Sequence, residues 1–225
     1  MTQNNLNSAP FKGVLFDMDG LLLDTERISL LAFDQSVAGF GLPNMRHVVL
    51  ACVGLRSDTR RGIIETALAG RVAYDDFNAD YRARKAGLLA VEMPLRPGAA
   101  SLLKTLNDLK IPCALATSTR TKSAEAHMER AELAQYFHSI IGGDQVENGK
   151  PAPDIYHKAA AAIGQGAAHC AAFEDSNPGT RAAIASGATT VQVPDIKPPD
   201  PDLLANGHVI ARDLLSGARQ IGLIG

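Results

Sequence analysis

Oxygen ligands and a single lysine dominate the residues that could do chemistry. Asp17 and Asp19 close the apolar segment "GVLF" within "KGVLFDMDGLLLDTE", and Glu174 with Asp175 closes a second apolar segment, "CAAF". Four carboxylates gathered in one place repel one another and stay ionised only when a cation neutralises them. All these donors are oxygens, with no imidazole or thiolate placed among them, which suits the hard cation Mg2+ better than zinc or copper. Thr117 and Ser118 close a third apolar segment, "CALA", and Lys150 stands in "ENGKPAPDIY" just before a helical run. A hydroxyl and a positive charge suit a phosphoryl group, so a metal beside such a clamp points to phosphoryl transfer. The "GK" here is not a P-loop, because Pro151 stands where serine or threonine is required and no glycine stands five residues before Gly149.

These side chains meet only if the segments carrying them are neighbours. "GVLFD", "PCALAT", "SIIGGD", "CAAFED" and "TTVQV" are short apolar runs that end in polar residues, most of them followed by helical spacing. That alternation predicts parallel strands joined by crossover helices. "GVLF" and "CALA" show no polar alternation, as strands covered on both faces do not. Helices are predicted over Lys122 to Leu133, Pro153 to Ile163, and Pro178 to Ser186, with the prolines in first turns and Gly187 closing the last helix. In an open parallel sheet, ligands bind beyond the carboxyl ends of the strands, where all the residues named above would lie. Between Asp24 and about Met93 no comparable strand appears. "ERISLLAFDQSVAGFG", "RHVVLACVG" and "RRGIIETALAG" read as successive helices, and the stiff "EMPLRPGAA" leads back to the α/β pattern.

Four stretches, "FDMDGLLLDTE", "LATST", "GKPAPDIY" and "FEDSNPG", resemble in content and order the haloacid dehalogenase superfamily of phosphohydrolases, in its branch with a helical cap after the first motif. The resemblance covers the core from Phe16 to Gly179, and the cap matches only in general character. A lone DxDG is weak evidence; four ordered motifs on strand ends and helix starts are strong evidence. The expected fold class is therefore α/β, a Rossmann-like three-layer core with a parallel sheet plus an inserted all-α cap domain. The core would comprise residues 1–23 and 94–225, and the cap residues 24–93.

The resemblance implies that Asp17 attacks phosphorus and becomes an aspartyl phosphate, while Asp19 protonates the leaving oxygen and later activates water. It implies that the cation is held by the side chains of Asp17 and Asp175 and the backbone carbonyl of Asp19, with Glu174 acting through a water. Thr117 would hydrogen-bond a phosphoryl oxygen, backbone N–H groups near Asp19, Gly20 and Ser118 would assist, and Lys150 would offset the charge. Gly20 suits its place because a side chain would obstruct the turn into the cap. Cap residues should select the ester: Glu26 in the hinge, Arg56 in "VGLRSDTRR", and Arg84 or Lys85 in "YRARKAG". Arg56 is favoured because Gly54 interrupts a helical pattern beside it, which predicts a loop aimed at the cleft.

The rest of the sequence narrows the function by exclusion. Of 225 residues, 46% are hydrophobic, ample for a core, and 22 basic against 24 acidic side chains leave a net charge of -2. No broad field favours nucleic acid or an anionic membrane, so an anionic substrate must be held by local groups. No segment approaches the roughly 18 uninterrupted apolar residues of a spanning helix. The polar "MTQNNLNSAP" lacks the features of a signal peptide and reads as a frayed tail. Cys52, Cys113 and Cys170 are odd in number and lack metal spacing, which predicts reduced, buried thiols in a cytoplasmic protein. His47, His127, His138, His157, His169 and His208 form no ligand-like pair and read as solvated or core residues. Asp24 and Thr25 read as cap or hinge positions, and Asn177 as a helix N-cap.

The function expected is a Mg2+-dependent phosphatase acting on a small phosphorylated metabolite, a sugar or sugar-acid phosphate, with oligomeric state left open. The alternative is a phosphosugar mutase. Relatives of the mutase type carry a histidine shortly after the DTE segment, whereas Ser29 stands here. A dehalogenase would leave Asp19 without a task, since a departing halide needs no proton. A non-catalytic binding module on the same fold predicts the loss of a catalytic group, and none is missing.

Overall fold

The computed structural model describes residues 10–53, 55, 57–91 and 93–225. All five apolar runs form strands: β1 (Gly13–Phe16), β2 (Cys113–Ala116), β3 (Ser139–Ile141), β4 (Cys170–Glu174) and β5 (Thr189–Gln192). A sixth, β6 (Val209–Ile210), is two residues long, too short to show any periodicity. They make one sheet in the order β3-β2-β1-β4-β5-β6, with every pairing parallel. From β1 the chain builds outward through β2 and β3, then returns to the other side of β1 to lay down β4, β5 and β6. The reversal opens a crevice at the carboxyl ends of β1 and β4.

Between β1 and the rest of the sheet lie α1 (Thr25–Gly39), α2 (Arg46–Ala51), α3 (Ser57–Leu68) and α4 (Tyr74–Val91). The remaining helices are α5 (Ala99–Asp108), α6 (Thr121–Arg130), α7 (Asp154–Ala162), α8 (Asn177–Ala185), α9 (Pro201–Leu204) and α10 (Leu214–Gln220). Helix α6 stops three residues short of the predicted Leu133. Glu132 adopts a left-handed φ of 56°, and buried Leu133 belongs to the turn that follows rather than to the helix.

Alternation along β1 divides the core into two faces. Val14 and Phe16 point to one side, packing with Leu102, Leu103 and Leu106 of α5, Met128 of α6 and Leu214 of α10. Leu15 points to the other, where Ala114, Ala116 and Ala172 offer short side chains to Ile155, Tyr156 and Ala159 of α7 and Ala182 of α8. The Phe16 and Phe173 rings, paired across β1 and β4, stack with centroids 5.3 Å apart. Burying each is worth about 1.5–3 kcal/mol, which anchors the two strand ends beside each other.

The helical insertion has its own apolar cluster, drawn from Leu30, Phe33 and Val37 of α1, Val48 and Val49 of α2, Ile64 and Leu68 of α3, and Phe77 of α4. Its two connections to the sheet run side by side. Leu23 and Leu95 form an antiparallel bridge, flanked by Asp24 N–H to Pro94 O and Arg96 N–H to Leu22 O, each 2.9 Å. The loop after β5 clamps this pair: the buried Asp195 carboxylate accepts from Arg96 at 2.8 Å and lies 3.1 Å from Arg27 at the start of α1. Cys52, Cys113 and Cys170 are free and buried, as expected, and burial pushes the Cys113 thiol up to about 12. Among the described residues, no helix is long and apolar enough to cross a membrane.

Candidate active site

Register brings the acidic residues together. Phe16 pairs with Phe173, and Asp17 extends the ladder by donating its N–H to Phe173 O at 3.1 Å, so its side chain emerges beside Glu174. The loop before α7 delivers Lys150 between them, its ammonium 2.5 Å from Asp17 Oδ1 and 2.5 Å from Glu174 Oε1. Burial alone would favour the neutral amine, but the two carboxylates outweigh it and raise the Lys150 pKa above its ordinary value. The same ammonium lies 5.2 Å from the Tyr156 ring centroid, over its face.

Glu174 is completely buried and almost saturated with donors. Tyr156 donates its hydroxyl to Oε1 at 2.9 Å, while the Asp175 and Ser176 N–H groups and the Ser176 hydroxyl reach Oε2, each at 3.0 Å. Ser176 also accepts from Gly179 N–H at 3.2 Å, which makes it the N-cap of α8. A Cβ at Gly179 would overlap the Glu174 carboxylate, so the first turn of α8 rests directly on that group.

Asp17, Glu174 and Asp175 each present an oxygen within 4.8 Å of the others, and all three are buried. Burial raises the Asp17 pKa well above the usual range; Lys150 opposes this, and Glu174 and Asp19 add to it. Burial likewise raises Asp175, reinforced by the charges of Glu174 and Asp17. Such a cluster is costly without a positive partner beyond Lys150. Buried, oxygen-only donors whose repulsion a divalent charge would relieve fit Mg2+. Gly20 serves both the turn into the insertion, where its φ is +87°, and this site, since a Cβ there would strike the Asp175 carboxylate. The Gly20 N–H is not aimed at a phosphoryl oxygen, because it donates to Leu23 O at 2.8 Å.

The Asp19 side chain stands apart from the cluster. Thr25, the first residue of α1, donates its hydroxyl to Oδ1 at 2.5 Å, and Thr119 donates to Oδ2 at 2.7 Å. Burial opposes ionisation here, yet the charge of Lys85 and the two hydroxyls together hold the carboxyl below its ordinary pKa. Thr117 is buried at the end of β2, continues the ladder to Ile141 O at 3.0 Å, and accepts from Thr119 N–H at 3.1 Å.

A cavity of about 530 Å3 opens between these strand ends and the helical insertion. Asp17, Asp19, Asp175, Thr117, Ser118 and Lys150 line its floor. From the insertion come Glu26 and Lys85, both predicted, whereas Arg84 instead pairs with Asp80 at 2.7 Å along α4 and does not line the cavity. Arg56 and Gly54 lie outside the described residues, as does the tail 1–9; Val53 and Leu55, their neighbours, do line the cavity.

Of the cap-or-hinge readings, Asp24 holds as hinge: it sits at the N-cap position of α1 without a capping bond, donates its N–H to Pro94 O at 2.9 Å and pairs with Arg27 at 2.6 Å. Thr25 serves Asp19, as above. Asn177 is the first residue of α8 rather than its cap, and its amide holds the loop after β5 through Pro198 O and Asp200 Oδ1 at 3.1 and 2.7 Å. His127 is a further correction: it is a cavity residue, on the wall formed by α6. The supporting donors Thr25, Thr119, Tyr156 and Ser176 all lie within the four motif stretches; Thr25 and Ser176 stand close in sequence to the carboxylates they serve, whereas Thr119 and Tyr156 reach theirs only through the fold.

These features define an α/β enzyme with an acidic, lysine-neutralised centre at the switch point of a parallel sheet. The chain belongs to the haloacid dehalogenase-like hydrolases, whose family pattern it matches over residues 11–187. It is 30% identical over 176 residues to a phosphorylated carbohydrates phosphatase of Thermotoga maritima, covering 78% of this chain and 82% of that one. It is 34% identical over 187 residues to a probable pseudouridine-5'-phosphatase of Drosophila melanogaster, covering 80% of each. Among solved structures, a putative beta-phosphoglucomutase from Thermotoga maritima aligns with a TM-score of 0.73 at 29% identity, covering 88% of this chain and 93% of that one.

Proposed function

We propose that the chain is a Mg2+-dependent phosphatase that hydrolyses a small phosphorylated metabolite, a sugar or sugar-acid phosphate, through an aspartyl phosphate. The observation that carries this reading is the separation of the two catalytic aspartates: Asp17 sits with Lys150 and the carboxylate cluster, and Asp19 is held apart by two threonine hydroxyls. Their environments differ, and Asp19, which the Lys85 charge and two hydroxyls bias toward ionisation, suits the later removal of a proton from water. An oxygen of Asp17 attacks phosphorus while the ester P–O bond breaks, and the leaving oxygen takes a proton from Asp19. Asp19, then ionised, removes a proton from water as that water attacks phosphorus and displaces the Asp17 carboxylate. Asp17, Asp175 and the Asp19 carbonyl would hold the metal, with Glu174 acting through water, and the bound metal supplies charge neutralisation for nucleophile and phosphate.

Thr117 and the Ser118 N–H take phosphoryl oxygens, and Lys150 balances their charge. Residues 24–93 act as a cap over a core of residues 1–23 and 94–225, excluding water and presenting Glu26 to the leaving group. The names of the two phosphatase relatives support hydrolysis of a phosphate ester, and that of the Thermotoga structure keeps a phosphosugar mutase as the second reading. Against the mutase, Ser29 turns its hydroxyl back to Thr25 O at 2.9 Å and offers no imidazole. A panel of phosphate esters assayed with Mg2+, beside Asp17→Asn, tests the proposal. Phosphate release by the native chain and none above background by the variant is the result expected. A variant that keeps most of its activity removes Asp17 as the nucleophile, and isomerisation of a hexose 1-phosphate with little phosphate release favours the mutase.

A further inference from the structure

The part of the cavity around Asp19 carries positive charge that the reaction at phosphorus does not use. Lys85 of α4 and His127 and Arg130 of α6 line it together, joining a wall of the insertion to a wall of the core. Lys85 is only partly exposed and makes no ion pair among the described residues. The His127 Nδ1 atom is buried without a hydrogen-bond partner. Arg130 donates to Leu89 O near the end of α4, which fixes its guanidinium across the gap and leaves further N–H donors uncommitted to that bond. These groups are mutual neighbours: Lys85 and Arg130 both act on His127, and both Lys85 and His127 act on Asp19. The charge that acts most strongly on Asp17 is instead that of Lys150. The cationic group therefore belongs to the side of the leaving oxygen, which Asp19 serves, and not to the phosphoryl side.

Asp19 forms no ion pair with these groups, since its two oxygens accept from the Thr25 and Thr119 hydroxyls. A buried polar atom without a partner is costly unless a ligand meets it, and the Lys85 ammonium faces the same cavity. We infer that Lys85, His127 and Arg130 form a second anion subsite, and that the preferred substrate carries a carboxylate or a second phosphate on its leaving group. This inference rests on the phosphatase reading for the identity of the reacting group and narrows the substrate class within it.

Matched esters separate the two sources of negative charge: 3-phosphoglycerate against glycerol 3-phosphate for the carboxylate, and fructose 1,6-bisphosphate against fructose 1-phosphate for the second phosphate. The quantity read is the ratio of kcat/KM within each pair, for the native chain and for Lys85→Met, with Mg2+. The native chain should favour the anionic member of at least one pair by about tenfold or more, the value of one charge-assisted hydrogen bond. Lys85→Met should lower that ratio about tenfold, chiefly through KM. Any effect of Lys85 on Asp19 is common to both members of a pair and cancels in the ratio.

A native ratio near or below one in both pairs overturns the subsite while leaving the phosphatase reading intact. A high ratio that survives both Lys85→Met and Arg130→Met overturns the residues assigned to it. Should no ester be hydrolysed, the phosphatase reading fails, and calorimetric binding of the same pairs to Asp17→Asn then tests the subsite by itself. Tighter binding of an anionic member supports the subsite, and equal affinities overturn it.

Discussion

Replacing Lys150 by methionine should destabilise the protein in a way that depends on pH. The Lys150 side chain is 2% exposed and touches two carboxylates whose side chains are 8% and 0% exposed. Methionine keeps most of the length but leaves Asp17 and Glu174 without their shared cation. Breaking a buried ion pair from one side costs about 3–5 kcal/mol. For a chain of this size each kcal/mol moves Tm by about 2–4 °C, so the expected fall is roughly 6–20 °C at neutral pH.

The sign with pH follows from Asp17, whose folded pKa is already raised by burial and would rise further once the ammonium is gone. A raised folded pKa means that the deficit is small near the unfolded carboxylate value of about 4 and grows as pH climbs through the folded one. Lys150 has its own folded pKa raised, so its contribution in the native chain is constant below its unfolded value of about 10.4 and adds no slope between pH 5 and 8. Calorimetric melts of both proteins in EDTA at pH 5 and pH 8 read the difference directly. A deficit below about 1 kcal/mol, the level of a surface ion pair, or one equal at the two pH values, would refute the claim that this lysine neutralises a buried carboxylate pair.

Three further outcomes follow from the same geometry. Mg2+ should raise Tm more at pH 8 than at pH 5.5, because the Asp17 and Asp175 carboxyls, which burial biases toward protonation, must give up protons to bind it; equal shifts would place the metal elsewhere. Gly179→Ala should cost about 1–3 kcal/mol by pushing the start of α8 off the Glu174 carboxylate, and a Tm matching the native chain in thermal melts would sink that account. Thr119→Val removes one of the hydroxyls that, against the effect of burial, hold the Asp19 pKa down. The alkaline limb of its kcat/KM profile, set by the need for a protonated Asp19, should therefore move to higher pH, and an unmoved limb would remove Asp19 as the acid.

Five of the six strands were legible because each is a short run that stops at a polar residue, and Asp17, Thr117 and Glu174, where three of them stop, gather at the candidate site. Lys150 was legible only in company, since an isolated lysine before a proline reads as loop. Tyr156 was not legible, because a tyrosine on the apolar face of α7 satisfies the helical pattern fully as core, and only the register of β4 shows its hydroxyl reaching Glu174. His127 was hidden for the opposite reason: α6 is mostly polar, so nothing in its sequence separates the side chain facing the insertion from those facing solvent. Gly20 was explained in part: its left-handed φ suits the turn, but the carboxylate it must also clear is 155 residues away in the chain.

The pairing of Leu23 with Leu95 has a consequence for the ancestry and engineering of the chain. Partners in an antiparallel bridge have Cα atoms about 4.5–5.5 Å apart, so a turn of a few residues could span the gap and omit the four helices altogether. The insertion is tied to the sheet at this doorway, and a closed loop grows costlier only slowly as it lengthens. Helical segments of quite different size and lining could therefore be exchanged there while β1, α7 and α8 keep the reacting groups in register. The sheet and the lining of the insertion become separately exchangeable, joined by two paired connections and the buried carboxylate of Asp195.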